Sequence, residues 1–247
     1  MPYNEHLRQR WVDKGYSKDM GSAAVVPPPP DGFRRLYHLS SAEYAISNIV
    51  FGRLKVARFA TLNDPFELLA RSIFTSRTRE ELRQIRKKLN DERGLLCFSE
   101  DWIDPVLWTH YGAKHQGICL GFDVEEGLAT KIEYRDSRFG DVDARGKTSD
   151  EILDLLIHTK FESWKYEKEW RVLLDLADAT CEGDLHFLKV SDRLRLTEVV
   201  LGAQCGMSHE EVRKVVLVHH PSANTIQARL ALRSFHIVPD ERTILAV

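Results

Sequence analysis

From Phe33 onward, short apolar runs alternate with polar, turn-rich stretches, and the period of each run predicts an element. Arg34–Leu39 reads as a strand, and Ser40 or Ser41 caps a helix that runs through Val50 and stops at Gly52. Lys55–Ala60 is the next strand, and Asn63-Asp64-Pro65-Phe66-Glu67 is a turn or helix start. In Thr78–Arg93, Leu82, Ile85 and Leu89 recur at helical spacing on a charged background, which predicts a helix with one buried stripe. Leu95–Ser99 is a short strand, Pro105–Tyr111 opens a short helix, and Ile118–Val124 is a strongly apolar strand. Ser149–Trp164 reads as one long amphipathic helix leading into a strand around Glu169. Glu198–Leu201 is a strand, Ser208–Val216 a helix capped by Ser208, and Arg233–Val238 a last strand. Short strands mixed irregularly with helices, with no internal repeat, predict an α+β fold. No G-x-G-x-x-G or P-loop opens any helix, so a dehydrogenase or P-loop reading has no support.

The densest chemistry falls at Glu162-Ser163-Trp164-Lys165-Tyr166-Glu167-Lys168-Glu169-Trp170-Arg171-Val172-Leu173-Leu174. On a strand, Glu167, Glu169 and Arg171 share one side while Trp170, Val172 and Leu174 share the other. Three charges in line behind an apolar back predict a face that borders a polar cleft or solvent.

Composition narrows the class without naming a partner. The chain has 247 residues, 43% of them hydrophobic, which suffices for a full core, and its net charge of −2 gives no global reason for nucleic-acid coating. Cys97, Cys119, Cys181 and Cys205 are widely spaced with no C-x-x-C, the pattern of reduced thiols and not of a zinc ribbon or disulfide scaffold. No apolar run is long enough for a membrane span and the polar start lacks a signal segment, so the expected location is the cytoplasm. Residues 1–32 read as an arm ending in Pro27-Pro28-Pro29-Pro30, an extended polyproline spacer, and 33–247 as a single domain.

Three segments, taken in order, carry a resemblance: Leu36-Tyr37-His38-Leu39-Ser40-Ser41, then Gly94-Leu95-Leu96-Cys97-Phe98-Ser99 with Trp108-Thr109-His110-Tyr111, then Tyr166-Glu167-Lys168-Glu169-Trp170-Arg171. Their order resembles the His…Tyr…Glu pattern of the diphtheria-toxin-like ADP-ribosyltransferases, the superfamily of the poly-ADP-ribose polymerases and of toxins that modify DNA. In that family a His-Gly-Ser closes the first strand and precedes a helix and a Gly-Leu turn; His38-Leu39-Ser40 and Gly52-Arg53-Leu54 look similar. A strand leading to a helix with a stacking Tyr is the second block, resembled by Cys97-Phe98-Ser99 and Tyr111. A catalytic Glu opening a strand is the third, resembled by Glu169. Leu39 stands where the family has Gly, and Cys97 where it has Tyr. A narrower likeness rests on Asn63-Asp64-Pro65-Phe66-Glu67, Leu107-Trp108-x-x-Tyr111, His115-x-Gly117-x-Cys119-x-Gly121-Phe122 and Trp164-x-Tyr166-Glu167-x-Glu169-Trp170-Arg171. This combination resembles a bacterial family described as a domain of unknown function.

The superfamily resemblance implies split mixed or antiparallel sheets flanked by helices, with NAD as co-substrate and no metal. It implies transfer of ADP-ribose to a macromolecular acceptor, nucleic acid or protein, in a toxin or phage-defence setting. Glu169 would stabilise the oxocarbenium-like transition state, as carboxylates do in glycoside cleavage. His38, Leu39 and Ser40 would hold the nucleotide, with Phe98, Ser99 and Tyr111 at the nicotinamide. Glu167 and Arg171 would meet the acceptor or a phosphate, with Asp64 and Glu67 as secondary candidates. The Glu167-x-Glu169 pair also resembles arginine-modifying transferases, but those begin with Arg where this chain has His38, so no arginine target is inferred. Hydrolysis of NAD by water and a non-catalytic nucleotide-binding or interaction module are the alternatives.

Plain structural explanations exist for the same residues. His38 suits a hydrogen-bonded strand end, Trp108 and Tyr111 suit core packing at i and i+3, and Glu169 with Arg171 suits a surface ion pair of little energetic weight. Cys97, Cys119, His110 and His115 lack metal-ligand spacing, and His219 and His220, taken as a strand, point apart. The basic residues from Arg77 to Lys88 read as a solvated helix face or a nucleic-acid footprint.

Overall fold

Phe33–Ser40 forms β1, and the computed structural model describes residues 27–69, 76–138, 140 and 146–240. In chain order there follow α1 (Ala42–Phe51), β2 (Arg53–Lys55), α2 (Ser76–Glu92), β3 (Arg93–Ser99), α3 (Pro105–His110), β4 (Ile118–Glu125), β5 (Thr130–Lys131) and β6 (Glu133–Arg135). The remainder is α4 (Ser149–Ile157), β7 (Thr159–Phe161), β8 (Glu169–Asp175), β9 (Thr180–Glu182), β10 (Leu185–Lys189), β11 (Leu194–Leu201), α5 (His209–His219), β12 (Asn224–Leu230) and β13 (Ile237–Pro239). The fold is therefore mixed α+β. Contacts divide the described residues into two units, one within 1–53, 98–128 and 190–247, the other within 54–97 and 129–189.

In the first unit the strand order is β13-β12-β11-β4-β1, with the end of β3 beside β1 through the Tyr37–Ser99 pair. β1 and β4 pair antiparallel along their whole lengths, from Phe33↔Glu125 to Ser40↔Ile118. Ile118 through Val124 are all buried, as a strand covered on both faces must be. The core gathers Tyr37, Trp102, Trp108, Cys119, Val200 and Ile226, with Leu39 packed on it. Gly117 is required by a close approach: a Cβ there would sit 2.1 Å from the Ser40 carbonyl oxygen. Two buried polar groups cross this sheet. The Arg35 guanidinium forks onto Asp123 at 2.8 and 3.1 Å, and the Tyr37 hydroxyl donates to Glu198 at 2.9 Å.

In the second unit β8 lies between β3 and β5, β2-β10-β9 form a small sheet, and β6 and β7 make a parallel two-stranded ribbon. Its core joins Phe59, Leu68, Leu82, Leu89, Leu95, Leu156 and Ile157, so the stripe on α2 is buried as its spacing predicts. Exposed pairs such as Arg83–Glu80 at 2.8 Å lace the rest of that helix. The side chains of Arg77 and Arg79 lie outside the described residues, as does the arm through residue 26.

Four expected elements are corrected. The strand expected over Lys55–Ala60 lies at Arg53–Lys55, and Phe59–Thr61 is a 3-10 turn. The helix predicted over Ser149–Trp164 ends at Ile157, because Lys160 turns inward on β7 to meet buried carboxylates; a 3-10 turn, Glu162–Glu167, follows. Within Arg233–Val238 the first three residues are bend and only Ile237 and Val238 lie in β13, while β12 precedes it at Asn224–Leu230. His219 and His220 end a helix and do not lie on a strand; the His220 ring shares a 2.9 Å hydrogen bond with the Ile49 carbonyl. Among the described residues no helix is long and apolar enough to cross a membrane.

Candidate functional site

The second unit buries a cluster of charges. Lys168, in the left-handed region at φ +46, reverses the chain after the 3-10 turn so that β8 opens on Glu169. Glu169 and Arg171 then share a face by strand alternation. Glu167 arrives from the turn, Lys160 from the centre of β7, and Glu67 from the turn after Asp64. None of the five is more than 5% exposed.

Their hydrogen bonds interlock. Arg171 donates from Nε to Glu169 Oε1 at 2.8 Å and from Nη2 to Glu169 Oε2 at 3.2 Å. It forks onto Glu67 through Nη1 and, at 3.1 Å, Nη2, and Nη1 also reaches the Ile157 carbonyl at 2.6 Å. The Lys160 ammonium bridges Glu167 at 2.5 Å and Glu169 at 3.0 Å, and lies 4.9 Å from the Trp164 ring centroid. The Glu169 backbone N–H donates to the Tyr134 hydroxyl at 2.8 Å, and the Cys97 thiol hydrogen-bonds the Glu169 carboxylate.

Two cations thus face three carboxylates in a water-poor setting. Burial works against ionisation of Glu169, but Arg171 and Lys160 outweigh it and hold the group down to about 2. Glu67 goes the other way: burial raises it more than Arg171 lowers it, and the Glu169 charge adds to the rise. Burial and Glu169 together push the Cys97 thiol far up, so it stays protonated. Lys160, despite burial, is raised by Glu169 and Glu167 and remains an ammonium. Glu169 is consequently an ionised carboxylate across the neutral range.

The charged face of β8 therefore borders neither solvent nor an open cleft, contrary to the expectation from alternation alone. Leu173, on the same face, packs into the second unit's core. The structure brings Glu67, Glu167, Glu169 and Arg171 together. Asp64 serves the turn itself: its Oδ1 accepts the Phe66 N–H at 2.9 Å and its carbonyl the Glu67 N–H at 3.1 Å. Sequence reasoning missed Lys160 and Tyr134. A lone lysine between Thr159 and Phe161, after the apolar Leu155-Leu156-Ile157 run, was the available signal for the first.

The remaining candidates belong to the first unit. His38 lies near the end of β1, with Phe98 edge-on at 5.9 Å between ring centroids. Phe98 is buried and meets Phe122 in the same manner, also at 5.9 Å. Ser99 is buried beside Tyr37, and its hydroxyl has no hydrogen-bond partner among the described residues. Ser40 Oγ donates to the Ser41 carbonyl at 3.2 Å, and Ser41 caps α1. Tyr111 closes α3, half-buried, with its ring 6.2 Å from that of His110.

The whole defines an α+β protein with a buried carboxylate centre. Residues 107–172, about a quarter of the chain, match the family model described as "Protein of unknown function (DUF2971)". The matched span holds Leu107-Trp108-x-x-Tyr111, the His115–Phe122 motif and all of Trp164–Arg171, so it ends on the charged strand. No curated protein and no solved structure matches the chain.

Proposed function

We propose that the protein is an NAD-dependent ADP-ribosyltransferase that cleaves the nicotinamide–ribose bond and passes ADP-ribose to a macromolecular acceptor. The observation that carries this reading is the position of Glu169 as the first residue of β8, held ionised by Arg171 and Lys160. A transition state with positive charge on the ribose calls for a fixed anion, and this one is fixed by three contacts from cationic donors. Two further placements support it. His38 precedes α1, which Gly52 ends in the left-handed conformation before β2, and the Phe98 strand leads to the helix that ends at Tyr111.

The resemblance in motif order assigns the adenosine ribose to His38 and the nicotinamide to Tyr111. Glu169 takes a ribose hydroxyl at Oε2, where Lys160 now sits at 3.0 Å; Lys160 retains its 2.5 Å bond to Glu167 when it yields that place. In this reading Glu167 is the acceptor contact.

The test is nicotinamide release from NAD with labelled ADP-ribose followed into product. Glu169→Gln, which keeps shape but not charge, is expected to lower release by about 10²-fold or more. Undiminished turnover would sink the assignment. Labelled polymer marks a transferase, whereas free ADP-ribose marks a glycohydrolase.

A second reading is favoured by the saturation of the same carboxylate: both Glu169 oxygens are already bonded and the group is buried. Here the centre is a structural keystone of a non-catalytic nucleotide-binding module. That reading expects ADP-ribose binding without nicotinamide release.

A further inference from the structure

The β6–β7 ribbon has two sides, and the charge cluster uses only one. Its parallel register sets Glu133 opposite Thr159, Tyr134 opposite Lys160 and Arg135 opposite Phe161. Alternation therefore sends Tyr134 and Lys160 toward Glu169, and Arg135 and Phe161 the other way. There the second unit holds a cavity of about 260 Å³ lined by Phe66, Phe161, Arg135, Ser137 and Arg138, with Lys160 also in its wall. Phe66 and Phe161 are 52% and 47% exposed, two aromatic rings left half in water at a concave place. The Arg138 guanidinium lies 5.2 Å from the Phe66 ring centroid. Arg135 has Glu133 3.9 Å away, and Asp136 is the carboxylate in the lining against two arginines, since the Lys160 ammonium is held by Glu167 and Glu169.

We propose that this cavity binds one nucleoside phosphate unit, its base against Phe66 and Phe161 and its phosphate on Arg138 and Arg135. Aromatic faces accept any base by stacking, and guanidinium forks match phosphate oxygens better than point charges do. The volume is just below the roughly 300–1,000 Å³ of common ligand pockets, which suits one nucleotide and not a dinucleotide such as NAD. The site rests on these residues alone and does not depend on the transferase reading.

Calorimetric titration of the full chain with AMP, with an oligothymidylate of about eight nucleotides and with inorganic phosphate tests it. AMP and the oligonucleotide bind saturably, more weakly as salt rises, and phosphate binds at least about tenfold more weakly than AMP because it has no base. Arg138→Glu and Phe161→Ala each weaken nucleotide binding by about tenfold or more while the thermal midpoint holds, since both side chains are exposed. An oligonucleotide about tenfold tighter than AMP identifies a single strand as the source of the unit; equal affinities identify a free nucleotide. No saturable binding by the unaltered chain, phosphate as tight as AMP, or both variants binding like the parent overturns the proposal. Nicotinamide release is read separately, so the two readings fail separately.

Discussion

Arg171 makes five hydrogen bonds from a side chain that is only 1% exposed, and four of them go to carboxylates. Such a group matters more by what its loss leaves behind than by its own net contribution, since Glu67 and Glu169 would keep their burial without their cation. Breaking a buried pair from one side costs about 3–5 kcal/mol. Arg171→Met is therefore expected to lower the unfolding free energy by that amount, read in urea as a lower midpoint with the slope unchanged. Adding Glu67→Gln to that variant removes one orphaned charge, so the double variant is more stable than Arg171→Met alone. A double variant no more stable than the sum of the two single losses would show that Glu67 and Arg171 act independently.

At the scale of elements, two glycines do different work. Gly52 ends α1 at φ +57, where an added Cβ meets nothing within 4 Å, so Gly52→Ala bears only the left-handed backbone cost of about 1–2 kcal/mol. Gly117 has no such φ, but its Cβ would collide with the Ser40 and Gly112 carbonyl oxygens at 2.1 and 2.8 Å, both backbone and neither able to swing aside. Gly117→Ala is expected to cost about 3 kcal/mol, the upper end of ordinary substitutions. Equal losses in urea melts would refute the distinction. The same scale explains what periodicity made legible. Helix caps at Ser41 and Ser208, the α2 stripe and the co-facing of Glu169 and Arg171 all follow from local period or capping chemistry. Lys160 did not, because Phe161 and Trp164 continue the helical spacing of Ile157, and only the demand of buried carboxylates for an ammonium breaks it. Lys168 likewise has no glycine to mark its left-handed turn. The side chains that form the β6–β7 pocket were invisible for a related reason: three-residue strands carry too few positions to show a period.

For the whole molecule, the pH profile of stability sums opposing carboxylates. Glu169, held low, contributes stability above its ordinary value of 4.5 and loses it as pH falls toward about 2. Glu198 has the opposite sign. Burial raises it, against the pull of Arg35 and the Tyr37 hydroxyl, so the folded chain keeps a proton that the unfolded chain sheds near 4.5. Its contribution is full below that value and fades as pH rises through the folded value, leaving a buried charge at higher pH. Glutamine at this position cannot lose a proton, still accepts the Tyr37 hydroxyl, and leaves Arg35 forked on Asp123. Glu198→Gln is therefore expected to melt higher than the parent on the alkaline side, with the two curves meeting below about pH 4.5. Melting curves taken from pH 4 to pH 9 decide the matter. A variant that melts lower at neutral pH would mean that the Glu198 charge is held by Arg35 at a net gain, and that burial is the weaker of the two forces at this site.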